Sequence, residues 1–165
     1  MTTSKHTRFD LKRIVMMLLM VSSLEGIAAE IDLAPDTEML GAAELQAYRI
    51  YATNQGGQQA TLNQDGDSNR LNAFQIGSRN ELIANQLGNG NQAALAQVGS
   101  NNLIALNQVG LLNVANIAQG GIGNSAQVFQ AGNKNQAQVL QLGYGHTVIV
   151  TQSGNNNVAK VTQRN

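Results

Sequence analysis

From Gln64 onward, glutamine stands at every eleventh residue: Gln64, Gln75, Gln86, Gln97, Gln108, Gln119, Gln130, Gln141, Gln152 and Gln163. A fixed period constrains a fold tightly, because each unit must occupy the same surroundings as the one before it. With units numbered 1 to 11 from Gln58, these glutamines fall at position 7. Glycine holds position 9 in every complete unit, as Gly66, Gly77, Gly88, Gly99, Gly110, Gly121, Gly132, Gly143 and Gly154. Position 1 is Asn69, Asn80, Asn91, Asn102, Asn113, Asn124, Asn135 and Asn157, with Gln58 and His146 as the departures. Positions 3 and 5 are always Ala, Leu, Ile or Val, as in Ala93 with Leu95, and units 2 and 3 place Leu71 and Leu82 at position 3. Nothing breaks this register over residues 58–165.

An eleven-residue period also suits a right-handed coiled coil. A glycine in every unit, followed two to three residues later by Asn, would destabilise such a helix once every three turns. The apolar positions lie two residues apart, which is the strand period. Positions 1, 3, 5 and 7 therefore share one face and 2, 4 and 6 the other, with Gly at position 9 and polar residues at 10 and 11 supplying a turn.

One short strand cannot bury its apolar face alone. Two units together can close a strand–turn–strand coil of 22 residues, with two sheets ~10 Å apart and coils stacked in parallel at ~4.8 Å. The expected fold is an all-β, amyloid-like β-solenoid of five coils, 58–79, 80–101, 102–123, 124–145 and 146–165, with two parallel sheets. The Ala, Leu, Ile and Val pairs fill its centre, flanked by inward Asn and Gln. An unpaired buried amide costs roughly 1–3 kcal/mol, and stacking like amides at the strand spacing removes that cost. The expected Gln ladders are Gln64–Gln86–Gln108–Gln130–Gln152 and Gln75–Gln97–Gln119–Gln141–Gln163, with Asn ladders beside them. The register runs to Val161-Thr162-Gln163-Arg164-Asn165 with no cap in view. Such an edge is a template for another chain, and the expectation is that it carries the function.

Composition agrees. Aromatic residues make up 4% of the chain and charged residues 12%, while Asn and Gln supply about a third of residues 58–165. A core of large side chains is out of reach, so small residues must be buried by repetition. Net charge is zero, which gives no reason to expect nucleic acid. No acidic residue follows Glu81, no Cys or His cluster has metal-ligand spacing, and the calcium-binding Gly-Gly-x-Gly-x-Asp repeat is missing. No enzyme activity, cofactor or metal is expected.

Residues 1–29 read as a secretory signal, with Lys5, Arg8, Lys12 and Arg13 before the apolar run Ile14–Leu24 and the small residues Gly26, Ala28 and Ala29. Residues 30–57 differ from the repeats, with Pro35 and an acidic start, and suit an export or linker segment. Within it, Ala42–Tyr51 is open to a short helix or a first strand.

The spacing Gln-x-Gly-x-x-Asn-x-Ala-x-x-x-Gln, intact from Gln119 to Gln130 and from Gln130 to Gln141, resembles the repeat of curlins, the subunits of bacterial curli amyloid. The resemblance covers residues 58–165. The ending Val-Ala-Lys-Val-Thr-Gln-Arg at 158–164 looks like the last repeat of the family's minor, nucleating subunits. It implies a secreted protein of the bacterial cell surface (a fimbrial component) that associates with itself and templates a major curlin subunit. It also implies an outer-membrane curli secretion channel and accessory factors as partners. Lys134, Lys160 and Arg164 make the later coils basic, and His146, Lys160 and Arg164 are the candidates for contacts with the outer cell surface. A charged edge that limits promiscuous stacking is the other reading of these residues. The alternatives in function are a bulk fibre subunit and a monomeric binding solenoid, the latter disfavoured by irregular residues at positions 2, 4 and 6.

Overall fold

The structure, a computed structural model, describes residues 47–54 and 56–165. The signal-like residues 1–29, and residues 30–46 with Pro35, lie outside the described residues.

The two-residue alternation becomes eleven strands: β1 (Ala47–Asn54), β2 (Gln59–Asp65), β3 (Arg70–Ser78), β4 (Glu81–Asn89), β5 (Gln92–Ser100), β6 (Leu103–Leu111), β7 (Val114–Ile122), β8 (Ser125–Asn133), β9 (Gln136–Tyr144), β10 (Thr147–Asn155) and β11 (Val158–Arg164). No helix interrupts them among the described residues. Odd-numbered strands form a six-stranded sheet in the order β1-β3-β5-β7-β9-β11, and even-numbered strands a five-stranded sheet in the order β2-β4-β6-β8-β10. Every pairing is parallel, and from β2 onward residues 22 apart face each other, as in Gln86 with Gln108 and Gln97 with Gln119. The fold is the expected β-solenoid of about five 22-residue turns.

Inward positions 3 and 5 from β2 to β11 form one apolar column. Leu71, Leu82, Leu95, Ile104 and Ile117 are completely buried within it. Most of its strands pair one large with one small inward residue, while Ile104 and Leu106 in β6 are both large. The early Leu71 and Leu82 at position 3 are each followed by a small position 5, Ala73 and Ala84, whereas Ala93 and Ala115 precede Leu95 and Ile117. The departures seen in sequence thus keep one large and one small inward residue in each of these strands.

The turns are sharper than the repeat suggests. Strand pairing runs through Gly at position 9 and on to position 10, so a full strand spans nine residues. The nine repeat glycines have φ between +100° and +124° and form the corner. Position 11 completes it in the left-handed region, as Ser68, Arg79, Asn101, Lys134 and Asn156 show. Leu112 does the same at φ 57° while half exposed. The turn backbone is still bonded from coil to coil, for example Gln92 N–H to Asn113 O at 2.8 Å and Leu112 N–H to Asn89 O at 3.0 Å. A left-handed conformation costs an ordinary side chain roughly 1–2 kcal/mol, and Asn is spared most of this. Leu112→Asn is therefore expected to stabilise the solenoid by about 1 kcal/mol, read as a higher urea midpoint of the monomer.

β1 was not legible as part of the repeat. It pairs with β3 at an offset of 23 residues, Ala47 with Arg70 and Ala52 with Gln75. Ala42–Tyr51, left open between helix and strand, therefore holds a strand from Ala47. β1 places Ala52 at the ladder position and Asn54 at the glycine position, opposite Gly77. Its link to β2 spans residues 55–58, as long as the link 66–69 from β2 to β3, whereas every later link needs two residues.

Candidate assembly edge

The residues singled out by the period are brought together as hydrogen-bonded columns along the solenoid axis. In the five-stranded sheet, each Gln Nε2 donates to the Oε1 of the next Gln: Gln64 to Gln86, Gln86 to Gln108, Gln108 to Gln130 and Gln130 to Gln152, at 2.5–2.8 Å. In the six-stranded sheet the column runs Gln75, Gln97, Gln119, Gln141, Gln163, at 2.8–3.0 Å. The second Nε2–H crosses to the preceding strand, in the opposite sheet, and donates to a position 2 carbonyl, as Gln108 does to Gln92 O at 3.1 Å. Each interior Gln is thereby satisfied at both ends while buried.

The Asn rows work in the opposite sense. The Oδ1 of each Asn accepts from the backbone N–H one coil further on: Asn91 N–H donates to Asn69 Oδ1 at 2.9 Å and Asn113 N–H to Asn91 Oδ1 at 3.0 Å. The second row holds Asn80, Asn102 and Asn124 in the same way. Carbonyls of the Asn rows thus point toward the C-terminal end, and those of the Gln columns toward the N-terminal end. From Asn69 to Asn135, each Asn Nδ2 also donates to the carbonyl of a position 9 glycine 19 residues on, as Asn113 does to Gly132 O at 2.9 Å and Asn135 to Gly154 O at 2.8 Å.

These glycine carbonyls were not foreseen as acceptors. The repeat marked the glycines as turn residues, but conformation is only half of their role. A Cβ on Gly77 would lie 1.8 Å from Gly99 O, and one on Gly110 would lie 2.1 Å from Gly132 O. The glycines form a column of close backbone contact. A second unforeseen set lies at position 10, where Asp67 N–H donates to Asn89 Oδ1 and Asn133 N–H to Asn155 Oδ1, both at 3.0 Å. Recurrence of Asn at position 10 was the available signal.

His146 takes over part of the Asn role. Its N–H donates to Asn124 Oδ1 at 3.0 Å, and its ring Nε2 lies 3.3 Å from Leu142 O. The ring is half-buried, whereas Lys160 and Arg164 are exposed on β11. The charged side chains of residues 56–165 (Asp65, Asp67, Arg70, Arg79, Glu81, Lys134, Lys160 and Arg164) are all exposed. Among them the acids lie between 65 and 81, and the last coil carries Lys160 and Arg164 with no acid.

The ends differ from the middle. The outer edges of β2, β10 and β11 have no partner strand among the described residues. At β2, Gln64 Oε1 is buried and has no hydrogen-bond partner among the described residues. At the other end the core thins, with Val148 and Val150 still buried but Ala159 and Val161 only partly so. The outer face of the five-stranded sheet carries a shallow hollow of about 300 Å³ beside Ile83, Phe129 and Ile149, with no charged side chain in its lining. No group of three or more His, Cys, Asp or Glu gathers among the described residues.

Two parallel sheets closed on an apolar column and laced by axial amide columns define a cross-β solenoid, a scaffold that continues wherever its edges are met by the same pattern. The family model described as the Curlin associated repeat matches residues 77–110 and 132–164. No curated protein and no solved structure matches the chain. Over these two stretches the chain is similar to the curlin associated repeat.

Proposed function

We propose that this chain is a cell-surface amyloid subunit that nucleates and anchors curli fibres by templating the major subunit on its exposed strand edges. The observation that carries this reading is the edge of β10 and β11, which no strand pairs among the described residues. Backbone groups of β10 and β11 stand in ladder register, and the amide columns reach them without a change of spacing. An incoming strand with Gln at the same period gains two sheet ladders and an amide column at once. In this reading residues 1–29 direct secretion and residues 30–57 take part in export through an outer-membrane channel with its accessory factors. Lys160 and Arg164 meet an anionic cell surface or an acidic partner edge. An ordinary bulk subunit is the second reading, favoured by the unbroken 22-residue register that suits repeated end-to-end addition.

The test is the lag before purified major subunit polymerises. Substoichiometric amounts of this chain, preassembled, are expected to abolish that lag, and an unchanged lag removes the nucleating role. A fibre mass consisting mostly of this chain would favour the bulk reading.

A further inference from the structure

We propose that successive copies of this chain join end to end with a half-turn about the solenoid axis, β11 of one copy pairing with β2 of the next. The inference rests on the edge-templating reading above and adds the geometry of the junction between two copies.

Strand parity supplies the first argument. Eleven strands alternate between two sheets, so the first and last described strands, β1 and β11, lie in the same sheet. Among the described residues, the next place along the path without a strand is in the five-stranded sheet, beside β10. A second copy that enters this place with its β1 has its two sheets exchanged relative to the first copy. Its β2 then falls beside β11. A copy added without rotation would set β1 beside β11 and leave the place beside β10 empty.

The amide columns supply the second argument. Every ladder Gln donates toward the C-terminal end, so the missing partner of Gln64 Oε1 is a Gln Nε2 on a strand stacked before β2. Among the described residues Gln163 Nε2 donates to Thr147 O alone, at 3.3 Å, where interior glutamines have two acceptors. Continuing the repeat register across the half-turn places Gln163 opposite Gln64. A 93% buried acceptor, with Gln64 only 7% exposed, thereby gains the donor that its orientation requires.

Charge supplies the third. The same register sets Arg164 beside Asp65, in one row on the outer surface. Both side chains are exposed in the single chain, so the pair selects the register more than it adds affinity. Without rotation, Gln163 would face Ala52 and Arg164 would face Thr53, which lack any such match. The half-turn has one cost: Gln152 on β10 meets Ala52 of the next copy. One Gln column therefore crosses each junction and the other stops there.

Cysteine pairing tests this directly, because the chain has no natural Cys and in-register neighbours at ~4.8 Å fall within the Cα range of a disulfide. Asn63→Cys and Thr162→Cys chains, both altered at exposed outward positions, are mixed, assembled and oxidised with a copper catalyst. A covalent dimer joining 63 to 162 is expected in assembled material. A Tyr51→Cys chain mixed with Thr162→Cys is expected to give at least tenfold less dimer. Preferential 51–162 coupling overturns the half-turn, and so does assembled material in which neither pair couples. A mixture that never assembles overturns it too. Seeding of the major subunit is scored separately, so loss of the cross-link with seeding intact removes only the junction geometry.

Discussion

Gly110→Ala is expected to prevent the solenoid from forming, or to destabilise it on the order of 4 kcal/mol or more. Two effects add at this residue. Its φ of 118° lies where a Cβ is strained, and the Cβ would sit 2.1 Å from Gly132 O in the next coil. The carbonyl it meets accepts from Asn113 Nδ2 at 2.9 Å, so moving it also breaks an Asn contact. Two control substitutions separate these effects. Gly123→Ala has φ +70° and nothing within 4 Å of its Cβ; backbone strain alone predicts a loss of about 1–2 kcal/mol. Gly154→Ala combines φ +102° with open space out to 3.7 Å and is expected to behave like Gly123→Ala. A domain of this length is held by only about 5–15 kcal/mol. Circular dichroism and urea unfolding of the monomer should therefore leave the two controls folded and Gly110→Ala largely unfolded. Equal losses at all three would mean that the column of close backbone contact has no steric role.

The second large effect is expected at the middle of an amide column. Gln108 is completely buried, accepts from Gln86 Nε2 at 2.7 Å, and donates to Gln130 Oε1 at 2.8 Å and Gln92 O at 3.1 Å. Gln108→Ala removes all three bonds and leaves a cavity between two coils. With about 1–3 kcal/mol for each stranded buried group, the expected loss is about 3–5 kcal/mol. Gln108→Leu restores volume but none of the bonds, and is expected to recover less than half of that loss. Gln163→Ala, at the half-exposed end of its column, is expected to cost about 1 kcal/mol. Amide hydrogen exchange should place the Gln108→Ala defect in β4, β6 and β8, where its column partners lie. A Gln108→Ala chain as stable as the parent would mean that these amides are solvated bystanders.

The parts legible in the sequence were those in which identity and position coincide. Ten glutamines at one spacing cannot be met by chance, and a period of two between positions 3 and 5 admits only a strand. Hence the coil length, the inward face and the Gln columns followed from residues such as Gln97 and Leu95 alone. β1 escaped because it carries none of the marks: Ala52 replaces the glutamine, Asn54 the glycine, and its offset is 23 instead of 22. Position 11 escaped for a different reason. The left-handed turn there is imposed by closure of the coil, and Ser68, Arg79, Leu112 and Lys134 accept it without a common side chain. The glycine carbonyls were invisible as acceptors because a backbone group leaves no residue-type signature. Their partner Asn rows were plain, but not what the second amide proton would meet. The role of the ends is least legible of all, since it depends on groups that are ordinary within the repeat and become distinctive only where stacking stops.

The opposed directions of the Asn and Gln carbonyls bear on how long such a stack can grow. In an α-helix the peptide dipoles add along the axis, so each end carries a partial charge. Here the side-chain amides at positions 1 and 7 are set head against tail in neighbouring columns. Their carbonyls oppose one another along the axis within each coil. Lengthening the stack therefore builds up little axial field from these columns, and an added subunit meets nearly the same electrostatic environment whether the filament behind it is short or long.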